Sequence, residues 1–103
     1  MNINLITRHL DRNEPLLTLA RRRAGFAFSR FGRIVRSVDI RLSDENGPRG
    51  GQGISCLARV HLASGGHVLV ESSAVTPEDG ITQAISRLEN RLRRLISRQH
   101  DHH

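Results

Sequence analysis

The sequence predicts an α+β domain of order β-α-β-β-β-α, in which a four-stranded mixed sheet carries two helices packed on one face. Three observations support this. Apolar residues recur at helical spacing from Leu16 to Phe31 and again from Ile81 to Leu95, apolar and polar residues alternate over 37–42 and, with Leu57 the exception, over 54–62, and turn or capping residues bound each of these segments. Helices with one apolar stripe and a sheet with one apolar face bury those surfaces against each other in two layers.

Residues 2–7, NINLIT, read as the first strand. Asn13-Glu14-Pro15 then starts a helix, with a capping side chain, an acid at the positive end of the dipole and a proline in the first turn. On a helical wheel Leu16, Leu17, Ala20, Ala24, Ala27, Phe28 and Phe31 share one face, with Arg22, Arg23, Arg30, Leu19 and Phe26 on the other. Gly32 is the expected stop, and Gly25 in mid-helix is expected to permit close packing.

In the second strand Val38, Ile40 and Leu42 face one way, as do Ile54, Cys56, Ala58, Val60 and Leu62 in the third. Ser43 to Gly51, within LSDENGPRGG, is read as a loop between them: Asn46-Gly47-Pro48 and Gly50-Gly51 serve chain reversal and Arg49 offers a cation, so a structural loop is favoured over a direct contact with a partner. Ala63-Ser64-Gly65-Gly66 makes a second hairpin to a fourth strand over 67–73, with Val68 and Val70 on the apolar face. Thr76-Pro77-Glu78-Asp79 caps the last helix, where Ile81, Ala84, Ile85, Leu88, Leu92 and Leu95 form the buried stripe. The first crossover makes strands one and two parallel.

With 103 residues the chain is one domain, expected to span 1–98, with 99–103 as a disordered tail whose His100, His102 and His103 have no fixed geometry for a metal. Three Phe and no Trp or Tyr leave the core mainly to Leu, Ile, Val and Ala. Cys56 alone cannot form an internal disulfide and is expected to be a buried small hydrophobe. There is no signal-peptide pattern or long apolar run, so a cytoplasmic protein without a membrane partner is expected.

The formal net charge of +6 points to an anionic partner, and all sixteen cations are Arg. That usage reflects either base composition or selection for the planar guanidinium, which binds phosphate bidentately. Arg87, Arg91, Arg94 and Arg98 line up on the last helix, where only Glu89 interrupts the acid-free run. They are read as phosphate ligands, and Arg22, Arg23 and Arg30 as a second subset that acts together. Phe26, on the same side of the first helix, either stacks on a base or contacts a loop or another molecule.

No catalytic arrangement stands out. GPRGGQG lacks the Lys-Ser/Thr ending and following helix of a phosphate loop, and no triad or paired carboxylates are evident, so neither an enzyme nor a small-molecule substrate is expected. His61 and His67 flank the second hairpin, but two ligands do not make a zinc site, and no metal or other cofactor is expected.

The segment VDIRLSDENGPRGGQGISCLARVHL, together with the opening NI strand, the acid-Pro helix start and ITQAISRLENRLRRL, resembles the family of bacterial hibernation-promoting factors and ribosome-associated inhibitors, also called sigma-factor modulation proteins. The resemblance covers nearly the whole chain and departs at Thr82, where the family carries an aromatic, and at Gly25, where it carries a larger apolar residue. It implies a fold similar to double-stranded RNA-binding domains and a short-form factor that binds rRNA of the small ribosomal subunit in the mRNA and tRNA channel, silencing translation in stress or stationary phase. The alternative is a regulator that binds an acidic protein. Nothing in the residues calls for a homodimer.

Overall fold

Asn13 starts the first helix by the predicted chemistry: its side-chain Oδ1 accepts from the Leu16 amide at 2.9 Å, and Pro15 occupies the first turn. In the computed structural model, which describes residues 1–45 and 53–100, the elements are β1 (Asn2–Arg8), α1 (Glu14–Phe28), β2 (Val35–Asp44), β3 (Ile54–Leu62), β4 (His67–Ala74) and α2 (Pro77–His100). Thr76 caps α2 through a 3.1 Å bond from the Asp79 amide to its hydroxyl. The order is the expected β-α-β-β-β-α. Arg49 and the centre of its loop, like the end of the histidine tail, lie outside the described residues.

The sheet order is β1-β2-β3-β4, with β1 parallel to β2 and the other two pairs antiparallel. Its inner face is built by the predicted alternation: Val38, Ile40, Cys56, Ala58 and Val60 are wholly buried. The hairpin from β3 to β4 turns on Gly65 and Gly66, whose φ values of 97° and 81° are left-handed conformations that a side chain disfavours. β2 is longer than its sequence period suggests. A register shift between Val35 and Ser37 puts two buried residues, Val35 and Val38, three apart, and this bulge masks the alternation at the strand's start. At its other end Ser43 and Asp44, read as loop, pair with Ser55 and Ile54, and the Glu45 amide donates to Gly53 O at 2.6 Å.

Both helices cover the inner face, α1 over β1 and β2 and α2 over β3 and β4. They run in the same direction, since Leu10 to Leu16 share a surface depression with Pro77 and Glu78, while Arg30, just beyond α1, reaches Glu89 in α2. Leu16, Leu17, Ala20, Ala24, Ala27 and Phe28 of α1 enter the core with Phe31, which follows in a 3-10 turn (Ser29–Phe31) closed by Gly32. Ile81, Ala84, Ile85, Leu88 and Leu92 of α2 meet them. Leu95 departs from its predicted stripe: it is half-buried beside β4, and Ile96 packs against the core in its place.

Cys56 is fully buried, and desolvation pushes its thiol up to about 12 against a weaker lowering by the Ser72 hydroxyl. Ser72 was not singled out from the sequence. It is the buried polar residue that ties β4 to α2, donating to Gly80 O at 3.1 Å.

Gly25 does not serve close packing. A β-carbon built there meets nothing within 4 Å, so the glycine leaves α1 with backbone freedom and no compensating contact. Gly25→Ala should raise stability by roughly 0.5–1 kcal/mol, seen as a higher midpoint in urea denaturation, and an unchanged or lower midpoint would show that the glycine has a role in packing.

Candidate nucleic-acid interface

The amphipathic period of α2 places Arg87, Arg91, Arg94 and Arg98 on the flank that faces the free edge of β4. Two adjoining depressions of about 440 and 490 Å³ lie between that flank and the strand, and they share Leu69, Arg91 and Arg94. Together they form one groove. Its helix wall is Arg87, Asn90, Arg91, Arg94, Leu95 and Arg98, and its strand wall runs from His67 to Glu71.

The four cations are not equivalent. Arg87 Nη1 donates to the backbone oxygen of Glu71 at 2.6 Å, so this side chain also caps an unpaired carbonyl of the edge strand. Glu71 borders the groove at the same end. Arg91, Arg94 and Arg98 are exposed further along. Glu89, the one acid within the basic run, is on another side of the helix, where it bridges Arg30 at 2.8 Å and Arg93 at 3.0 Å. The groove keeps a cationic stretch because that acid points elsewhere.

The second predicted subset is divided by the fold. Arg22 and Arg23 are exposed on α1, whereas Arg30 is held by Glu89 with its guanidinium 5.2 Å from the centre of the Phe31 ring. Since α1 covers the β1 side of the sheet and the groove lies beyond α2, Arg22 and Arg23 do not line it. The strand wall and Asn90 were not read from the sequence. Hydrophobic alternation identifies a strand's inner face, but an edge position is a property of the assembled sheet.

On the open face of the sheet His61 and His67 are cross-strand partners with ring centres 6.5 Å apart. His61 Nε2 lies 2.8 Å from Asp39 Oδ2, and the other carboxylate oxygen accepts from Asn4 Nδ2 at 3.0 Å. This polar chain joins β1, β2 and β3. Among the described residues no group of three or more metal-binding side chains forms.

The Asn4 hydrogen bond is the largest influence holding the Asp39 carboxyl below its ordinary 3.8, followed by partial burial in the opposite sense and then by the His61 bond and the charges of His61 and Arg59. A depressed carboxylate contributes stability that is complete above its unfolded pKa and lost as pH falls through the folded value. Stability should therefore decline below about pH 4, and Asp39→Asn should flatten part of that limb. Urea titrations from pH 6 to pH 3 give the comparison, and identical acid limbs would count against the linkage.

Residues 3–100 match the family described as sigma 54 modulation protein / S30EA ribosomal protein. The chain belongs to that family. Its resemblance in sequence to the ribosome-associated hibernation factors thus extends over almost all of its length. The Protein Y N-terminal domain of Thermus thermophilus superposes with a TM-score of 0.75 at 25% identity, covering 92% of this chain and 99% of that one. A ribosomal subunit interface protein from Coxiella burnetii gives 0.77 at 14% identity, covering 94% and 99%, a likeness of fold. No curated protein matches the sequence. Within the family fold the described part of this chain is a β-α-β-β-β-α domain, and no helix in it is long and apolar enough to cross a membrane.

Proposed function

We propose that this family member is a translation inhibitor of the hibernation-factor type, which binds rRNA of the small ribosomal subunit in the mRNA and tRNA channel and acts in the cytoplasm by occupancy, without chemistry or cofactor. The observation that carries this reading is the groove between α2 and β4, where Arg91, Arg94 and Arg98 stand exposed along one wall. Guanidinium groups spaced along a groove suit successive phosphates, since each makes charge-assisted and potentially bidentate bonds. Arg87 lends charge at one end, and Arg22, Arg23 and Arg30 extend the basic surface over α1 and the turn that follows it. Membership of the family supports the ribosome as partner, and the likeness to a subunit interface protein supports the fold as suited to it.

Binding of the protein to ribosomal particles should weaken steeply with salt, because each phosphate neutralised releases condensed counterion. If the four groove arginines each neutralise one phosphate, the log-log slope should be about −3. The check is co-sedimentation with purified small subunits at several salt concentrations, with an RNase-treated control. A complex that survives removal of the RNA would favour an acidic protein partner instead, and an affinity independent of salt would remove the electrostatic argument itself.

A further inference from the structure

The three Phe residues have different fates. Phe28 is wholly buried, Phe31 is 8% exposed and Phe26 is 90% exposed. Phe26 projects from the last turn of α1, and helical spacing places Arg22 four residues and Arg23 three residues before it as surface neighbours. Both are exposed. From Pro15 to Val38 the chain has six Arg and no acid, so the surroundings of the ring repel cationic partners and attract anionic ones.

We propose that Phe26 is a stacking platform for one unpaired base of RNA, with the adjoining phosphates held by Arg22 and Arg23. This rests on the reading that the partner is RNA and adds that α1 takes a single-stranded nucleotide, at a surface separate from the α2 groove. The chemistry required is a flat apolar face beside anionic charge, which a nucleotide combines in one unit. An aromatic ring standing this far out of the surface gains its contact area from a planar partner laid on it. A paired base already has neighbours on both faces and does not offer one, so the occupant is unpaired. Arg30, one turn beyond Phe26, is already bound to Glu89, which leaves the phosphate role to Arg22 and Arg23.

The absence of Trp and Tyr provides a direct test, because Phe26→Trp makes a protein with a single indole. Titration with a single-stranded oligoadenylate should quench its emission, whereas inorganic polyphosphate of equal charge should bind with little quenching. Phe26→Ala should weaken oligoadenylate binding by about tenfold or more and leave binding of a blunt RNA duplex unchanged. Circular dichroism should show both variants folded, as expected for a side chain outside the core. An indole unmoved at saturating oligoadenylate, equal quenching by polyphosphate, or wild-type oligoadenylate affinity in Phe26→Ala would overturn the assignment. So would loss of a dimer in Phe26→Ala with RNA affinity intact, which would give the ring to a second copy of the chain. If ribosome binding persists in any of these cases, only the stacking role falls. If the wild-type protein binds neither RNA nor ribosomes, the functional reading falls with it.

Discussion

Arg91→Glu combined with Arg94→Glu should lower the affinity for ribosomal particles by orders of magnitude while leaving the fold intact. Both residues line each of the two depressions that make up the groove, so the pair exchanges two positive charges for two negative ones at its centre. Attraction for two phosphates is replaced by repulsion, and the charge-assisted bonds are lost as well. Both side chains are exposed, and the neighbouring Leu88 and Leu92 that hold α2 to the sheet are untouched. Co-sedimentation measures the first effect and thermal denaturation the second. The matched reversal Arg22→Glu with Arg23→Glu separates the two basic surfaces, since α1 lies on the other side of α2 from the groove. Wild-type binding by a folded Arg91, Arg94 variant would move the RNA to another face. Glu71→Gln should act in the opposite direction, removing the acid that borders the groove and raising affinity.

Phe28→Ala should destabilise the protein by about 3–5 kcal/mol, a large part of the roughly 5–15 kcal/mol that holds a domain of this size folded. Phe28 is 0% exposed and among the largest fully buried side chains, part of the core that α1, the sheet and α2 build together. Its truncation removes apolar contact and leaves a cavity that the surrounding core closes only in part. The melting temperature should fall by on the order of 15 °C or more. Phe26→Ala, two residues away on the opposite side of the same helix, should change stability little. Equal melting of wild type and Phe28→Ala would mean that the core is not packed around this ring.

The contrast between these two rings is legible in the sequence. Phe28 falls on the wheel with Leu17, Ala20 and Ala24, and Phe26 falls among arginines, so period alone predicts which is buried. The caps were equally local. Asn13 and Thr76 satisfy amides three residues ahead, and Gly65-Gly66 supplies the conformations that its own turn demands. Where local regularity broke, the reading failed with it. A bulge after Val35 disguised the start of β2, and Gly25 suggested a close approach that the surroundings do not make.

By itself, then, the sequence determined the order of elements, the inner face of each strand and helix, the burial of Cys56, and the alignment of Arg87, Arg91, Arg94 and Arg98 along one flank of α2. These follow from backbone periods and from bonds between residues a few positions apart, which any reader of the chain can apply in order. The tertiary structure decided which cations remain available. Arg30 and Glu89 are 59 residues apart in the chain and meet only because the two helices run side by side, and Arg87 reaches the backbone of Glu71 only because β4 is an edge. The groove likewise needs both of its walls. An isolated helix offers a row of charges, and packing it beside an unpaired strand edge turns that row into the side of a channel, because pairing partners and distances between elements are set by closure of the whole core rather than by neighbours along the chain.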